Sequence, residues 1–279
     1  MMKKQRLQLD AIGNWSEVKL DIVKAYAAEY SKILSARRNP EFHHVYIDGF
    51  AGAGRHISKN TGDFVPGSPL NAIAIRPPFK EYYLIDLDSD RTRMLRSLVG
   101  ERSDVHILSG DCNRKLLENV FPMIKYEDYR RGLCVLDPYG LHLDWQVIET
   151  AGKMGSLEIF LNFPVMDMNR NVFWRNPEGV DPSDIERMNR FWGDESWREV
   201  AYRKQQTLFG PEDVRTDNET VAAAFRQKLQ EVAGFRFVPE PLAMRNSQGA
   251  TVYYLFFASR KPVAEKIVAS IFKKYGGRS

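Results

Sequence analysis

The stretch His44-Val45-Tyr46-Ile47-Asp48-Gly49-Phe50-Ala51-Gly52-Ala53-Gly54 decides the fold, because a β-favouring apolar run ends on an acid and passes at once into three closely spaced glycines. It reads as a first strand and its ligand loop. Glycines 49, 52 and 54 let the backbone turn through positive φ and come close to a ligand, while Asp48 at the strand end can receive a cation. Such a loop belongs to a Rossmann-like crevice, in which ligands sit beyond the carboxyl ends of parallel strands. A dinucleotide fingerprint fails, since Gly52-x-Gly54-x-x is followed by Ile57. A phosphate-cradling P-loop fails too, since Gly54 is followed by Arg55-His56 rather than Lys-Ser/Thr. A plain glycine turn between strand and helix is the alternative reading.

Upstream, apolar residues from Trp15 to Leu34 follow helical spacing, with Asn14 or Ser16 as the N-cap. Downstream, Arg55 to Gly67 is polar and broken by Gly62, Pro66 and Gly67, which predicts an irregular inserted loop (55–67) over the ligand site. Ser68-Pro69 then opens a helix that Pro77-Pro78 stops. Strands follow at 81–88, 105–111, 133–137 and 157–163, separated by helices at 91–99, 113–124 and 144–151. This alternation predicts an α/β fold with a parallel sheet. Residues 166–212 break the rhythm and read as a helical insertion after the fifth strand, carrying Trp174, Trp192 and Trp197. Thr216-x-x-Glu219 suggests a capping box for a helix to Val232. Strands at 235–244 and 251–259 and a helix from Val263 to Tyr275 close the chain.

Four strand ends carry acids and together outline one crevice. Asp86 can accept both ribose hydroxyls of a nucleoside, or else cap the helix near Ser89; Asp88 lies farther into the turn and is the weaker candidate. Asp111-Cys112 ends the third strand, with an N-cap as the alternative role for Asp111. Asp137-Pro138-Tyr139-Gly140 ends the fourth, with a tight turn as its alternative. His56 and His142 are candidate bases. The insertion's tryptophans can stack a base or form a satellite core, and its seven basic against eight acidic residues between 166 and 204 argue against a phosphate-tracking patch.

Composition narrows the classes. A chain of 279 residues, 43% hydrophobic and 27% charged, supports a sizeable core and reads as one elaborated domain, 1–279. The net charge of +4 is compatible with a nucleic-acid partner without requiring one. The start has no apolar signal region and no run is long enough to span a membrane, so the expected location is cytoplasmic. Only Cys112 and Cys134 occur, without metal-ligand spacing, so neither a metal site nor a disulfide framework is expected.

The Asp-x-Phe-x-Gly-x-Gly loop looks like the first motif of class I methyltransferases, and the strand order of five in alternation plus a terminal hairpin resembles their seven-stranded, mostly parallel sheet. That resemblance implies S-adenosylmethionine as cofactor, held by Asp48, Gly49, Phe50, Gly52, Gly54 and Asp86. It further implies the Asp111 carboxylate on the adenine amine and the Cys112 amide on a ring nitrogen. Asp137-Pro138-Tyr139 resembles, with one proline missing, the Asp-Pro-Pro-Tyr motif of amino-methyltransferases. In that motif the acid and a proline carbonyl accept hydrogen bonds from an exocyclic amine, and the aromatic ring stacks on the base.

Tyr46 to Arg55, Gly67-Ser68-Pro69-Leu70 and Leu136 to Gly140 together resemble the three-Cys-motif partner proteins, bacterial and phage methyltransferase-like proteins. Their neighbouring gene encodes a radical S-adenosylmethionine-like protein with three cysteines. Ala53 stands where proline is common in that family. The resemblance covers most of the chain and implies such a partner, with DNA or RNA as a possible substrate. A non-catalytic scaffold that keeps the fold is the second reading. Arg55, Arg170, Arg175, Trp192 and Trp197 are the expected substrate or partner contacts, with residues 166–210 as lid or partner face.

Overall fold

The computed structural model describes residues 9–207 and 210–277. The chain divides into two compact units, Met1–Val135 with Ile267–Ser279, and Leu136–Lys266. Among the described residues no helix is long and apolar enough to cross a membrane.

The first unit begins with β1 (Ala11–Ile12) and α1 (Asn14–Ser35), whose buried stripe Val18, Ile22, Val23, Tyr26, Ala27 and Tyr30 keeps helical spacing. The residue that caps α1 is Gly13, not Asn14 or Ser16. β2 (His43–Asp48) follows, and then the expected loop 55–67 is in part regular. It forms a hairpin, β3 (Arg55–Ser58) with β4 (Phe64–Pro66), because its alternating residues pair antiparallel and β1 adds to β3 in parallel. α2 (Ser68–Ile73), β5 (Glu81–Asp86), α3 (Ser89–Val99), β6 (Val105–Ser109) and α4 (Cys112–Lys115) come next. The helix expected over 113–124 changes pitch along its length, passing from α4 into a π turn at Leu116–Val120 and a 3-10 turn at Phe121–Met123. β7 (Arg130–Leu136) runs up to the boundary of the unit.

β7 and β5 flank β2, and β6 lies outside β5, all in parallel. Val45, Tyr46, Ile47, Tyr82, Leu84, Ile85, Leu133 and Cys134 are all buried, which is why these strands read as continuous apolar runs rather than alternating ones.

The second unit holds α5 (Trp145–Met154), β8 (Leu157–Phe163), α6 (Val165–Asn171), α7 (Pro182–Trp192), α8 (Trp197–Ala201), β9 (Tyr202–Thr207), β10 (Gly210–Arg215), α9 (Asn218–Glu231), β11 (Leu242–Arg245) and β12 (Thr251–Ala258). α10 (Pro262–Tyr275) closes the chain. β12 pairs antiparallel with both β8 and β11. The sheet order is β11-β12-β8-β7-β2-β5-β6, the seven-stranded, mostly parallel arrangement of a Rossmann-like class I methyltransferase fold.

Three expectations are corrected in this unit. The insertion 166–212 is helical only to Ala201 and then becomes the antiparallel β9–β10 ribbon. The strand expected over 235–244 is shorter, because only Leu242–Arg245 pairs with β12, with a register shift between Met244 and Arg245. The cap of α9 is Asp217, whose Oδ1 accepts the Thr220 amide at 2.7 Å, while the Thr216 hydroxyl donates to the Val200 carbonyl at 2.8 Å.

Phe225 is the hub of this unit's core. Its ring lies 4.6 Å from Phe163, 5.4 Å from Trp192, 5.5 Å from Phe256 and 5.9 Å from Trp145, between centroids.

Candidate cofactor and acceptor sites

The glycine loop of the first unit is pinned at the four successive amides of residues 49–52. Gly49 N donates to the Val135 carbonyl at 2.9 Å, Ala51 N to the Ile85 carbonyl at 2.8 Å, and Gly52 N to Asp86 Oδ2 at 2.8 Å. Asp48 is fully buried beneath this loop, where its Oδ1 accepts the Phe50 amide at 3.1 Å and its Oδ2 accepts the Tyr46 hydroxyl at 3.5 Å. The acid expected to meet a ligand cation therefore also organises the loop.

Gly54 has φ +79°, a conformation that a side chain strains, and a Cβ there would stand 2.7 Å from the Leu95 side chain. The Gly67 amide donates to the Gly54 carbonyl at 2.8 Å, and a Cβ on Gly67 would lie 3.1 Å from that oxygen. This close approach explains Gly-Ser-Pro after the hairpin: the hairpin leaves from the ligand loop and must return against it. Pro69 lies in the first turn of α2, but the cap position is Gly67, and the Ser68 hydroxyl bonds Tyr46 instead.

Asp86 does not cap α3. That task falls to Asp88, which accepts the Asp90 amide at 2.7 Å. Asp86 instead takes Gly52 N on Oδ2 and the Asp88 amide on Oδ1, at 2.9 Å. A carboxylate has about four acceptor positions, so each oxygen retains one for a ligand hydroxyl. Leu87, the next residue, is 76% exposed, an apolar platform beside the acid. Sequence reasoning passed over it because a lone leucine after an acid carries no pattern.

Asp111 realises the capping alternative, accepting the Arg114 amide at 2.9 Å at the start of α4, with Cys112 buried beside it. Its other oxygen, Oδ2, accepts the Asn113 side-chain amide at 3.5 Å.

In the second unit, Asp137 Oδ1 accepts the side-chain amide of Asn162 on β8 at 2.8 Å. Pro138 is buried and Tyr139 stands 69% exposed. The turn is tight: Gly140 has φ +54°, and the Asp167 carboxylate lies 2.9 Å from the place of a Cβ. Buried Tyr253 has its hydroxyl pushed well above the ordinary range, first by burial and then by the Asp137 charge. Asn162 was not legible in the sequence, since 25 residues and a helix separate it from Asp137. His142 lies exposed on the surface, two residues past the turn, and its backbone amide donates to the Tyr139 carbonyl at 3.3 Å.

The expected partner contacts separate into two groups. Trp192 and Trp197 are each only 1% exposed, and their indole N–H groups donate to Ser196 Oγ at 3.0 Å and Asn189 Oδ1 at 2.7 Å. Their rings are core, because α7 and α8 turn them inward against Phe225 and Phe173, and they present no stacking face. This corrects the expectation that they meet a substrate or partner. Trp174 is 43% exposed, and Arg55, Arg170 and Arg175 are exposed.

No protein-family model matches the chain, and no curated protein matches it. Among solved structures, the chain is similar to protein LPL1258 of Legionella pneumophila, of the family model DUF519, at TM-score 0.50 and 13% identity over 93% of both chains. It also matches the DszA carbon methyltransferase at TM-score 0.45 and 15% identity, over 88% of this chain and 54% of that one. An S-adenosylmethionine-dependent methyltransferase from Mesorhizobium loti matches at TM-score 0.38 and 10% identity, over 83% and 97%. The likeness is one of fold.

Proposed function

We propose that the protein is an S-adenosylmethionine-dependent methyltransferase that methylates an exocyclic amine of a nucleic acid and works with a three-cysteine, radical S-adenosylmethionine-like partner in the cytoplasm. The whole chain serves as one methyltransferase-like domain in this reading. The observation that carries it is Asp86, which holds the glycine loop through Gly52 N while keeping an acceptor position on each oxygen for a ribose diol. Leu87 lends the adenine an apolar face, and the open space at Gly52 leaves room for the amino-acid portion.

The cofactor supplies a methyl group already activated by its sulfonium. Held by Asp86 and the glycine loop, it would supply that methyl to the acceptor nitrogen, with the bonding electrons left on its sulfur and one amine proton released to solvent. The chain's task is then placement. Asp137 accepts an N–H of the acceptor and so aims its lone pair, and Tyr139 offers its ring to the base. Titration calorimetry with S-adenosylhomocysteine tests the reading, and no binding at millimolar ligand removes it.

The second reading is a non-catalytic partner. The missing second proline in Asp137-Pro138-Tyr139-Gly140 favours it. Co-expression with the three-cysteine protein, followed by size-exclusion chromatography, separates the two. A scaffold forms the complex equally well as Asp137→Ala, whereas turnover on DNA or RNA by the purified chain excludes it.

A further inference from the structure

The hairpin that leaves the glycine loop has two different faces. Ser58 points inward, 3% exposed, and its hydroxyl donates to Glu17 Oε1 on α1 at 2.7 Å; His56 lies on the same inner face, by Gly67. Strand alternation sends Arg55 and Ile57 outward, and the register sets Pro66 opposite Arg55 and Phe64 opposite Ile57. The outer face is therefore apolar at its centre. Phe64 is 67% exposed, and Pro66 and Ala11 are exposed around it.

At its ends the same face is cationic. Arg55 and Lys59 are both exposed, and neither has an ion-pair partner among the described residues. Strand rise sets them roughly 13 Å apart, one on each side of the ring. The acid of the hairpin, Asp63, falls on the opposite face by alternation, across from Ser58, whose amide bonds its carbonyl at 2.9 Å.

With exposed Pro66 and Ala11 beside it the Phe64 ring forms a small apolar patch, and this patch stands between two cations without an ion-pair partner among the described residues. Base stacking on an aromatic ring, with phosphates on flanking Arg and Lys, is the chemistry of single-stranded nucleic-acid platforms. A duplex hides its base faces and cannot use Phe64 in this way. We propose that the outer face of the β1-β3-β4 sheet binds single-stranded nucleic acid, with one base on Phe64 and phosphates on Arg55 and Lys59. This deepens the proposed function by naming the strandedness of its substrate. It stands on the hairpin alone, within the first unit.

The face is rigid where the contact requires it. β1 bonds the hairpin through Ile57 N to the Asp10 carbonyl at 3.0 Å and Lys59 N to the Ile12 carbonyl at 2.9 Å. Asp10 is in turn paired with Arg91 of α3 at 3.0 Å.

The test is fluorescence anisotropy of the full-length protein with a short labelled mixed-sequence DNA single strand, its RNA counterpart and the corresponding duplex, across a salt series. S-adenosylhomocysteine affinity is measured in parallel. Phe64→Ala is expected to weaken single-strand binding roughly ten-fold or more, and Phe64→Tyr to keep it. Arg55→Ala and Lys59→Ala are each expected to weaken it and to flatten the logarithmic salt slope by about 0.7. All three side chains lie on an exposed face, so cofactor affinity and melting temperature should hold in the four variants, and a variant that melts early is replaced by Phe64→Gln.

Wild-type failure to bind either single strand at low salt overturns the proposal. So does equal binding by Phe64→Ala, or a duplex bound as tightly as the single strand. A purified protein partner that binds through these residues while both oligonucleotides fail also overturns it. Loss of S-adenosylhomocysteine binding with Phe64-dependent oligonucleotide binding intact sinks the methyltransferase reading and leaves the platform standing.

Discussion

Two carboxylates look alike in the sequence and differ in their surroundings. Asp86 combines a loop amide, a turn amide and spare acceptor positions, whereas Asp111 spends an oxygen on the first turn of α4. Asp86→Ala should therefore weaken S-adenosylhomocysteine roughly a hundred-fold, from two charge-assisted bonds at about 1.5 kcal/mol each, and Asp111→Ala by less than ten-fold. Calorimetry on both variants checks the order, and equal losses would contradict the assignment of ribose to Asp86. Asn162 works at the same scale. Asn162→Leu removes the donor that orients Asp137, so turnover should fall at least ten-fold while S-adenosylhomocysteine affinity stays within two-fold; an unchanged turnover number would show that Asp137 needs no orientation.

At the scale of elements, packing decides what side chains with the same chemistry do. Trp192 lies in the aromatic cluster around Phe225 with its N–H satisfied, so Trp192→Ala should cost about 3–5 kcal/mol of stability, read by urea unfolding. Trp174, exposed and bonded to the Arg170 carbonyl at 2.7 Å, should cost under about 1 kcal/mol when truncated. Comparable losses from both would mean that the insertion packs differently. α1 is joined to β2 in another way. His44 Nε2 meets Ser31 Oγ at 2.9 Å, and that hydroxyl donates to the Pro77 carbonyl at 2.6 Å, so the imidazole is the donor in its bond. Burial lowers the His44 pKa from 6.5 to about 4. Between these values the unfolded chain takes a proton that the folded chain refuses. Stability from this group is complete above pH 6.5 and is lost as pH falls toward 4. In His44→Gln the pH slope of unfolding free energy over that window should drop by about one proton, and an unchanged slope would show that His44 does not carry it.

At the scale of the whole molecule, the parts most legible in the sequence were those with local causes. The β2 strand, its glycine loop, the alternation into a parallel sheet and the terminal β12 strand follow from apolar runs, turn residues and acids within a few positions of each other. The 55–67 hairpin was missed although its β3–β4 pairing is local, because its polar, glycine-broken residues read as irregular; β1, more than 40 residues away, adds in parallel to β3. The β9–β10 ribbon was missed because its residues 203–206 are polar and exposed, with no buried face to impose alternation. The sequence by itself determined the sheet, the ligand loop and which strand ends bear acids, since backbone propensity and binary pattern are written locally. Only the tertiary structure decided which acid holds the loop and which caps a helix, that Asn162 orients Asp137, that Trp192 and Trp197 face inward, and that Phe64 faces out. Those outcomes rest on which surfaces meet across distant segments, and burial and hydrogen-bond satisfaction are settled only there.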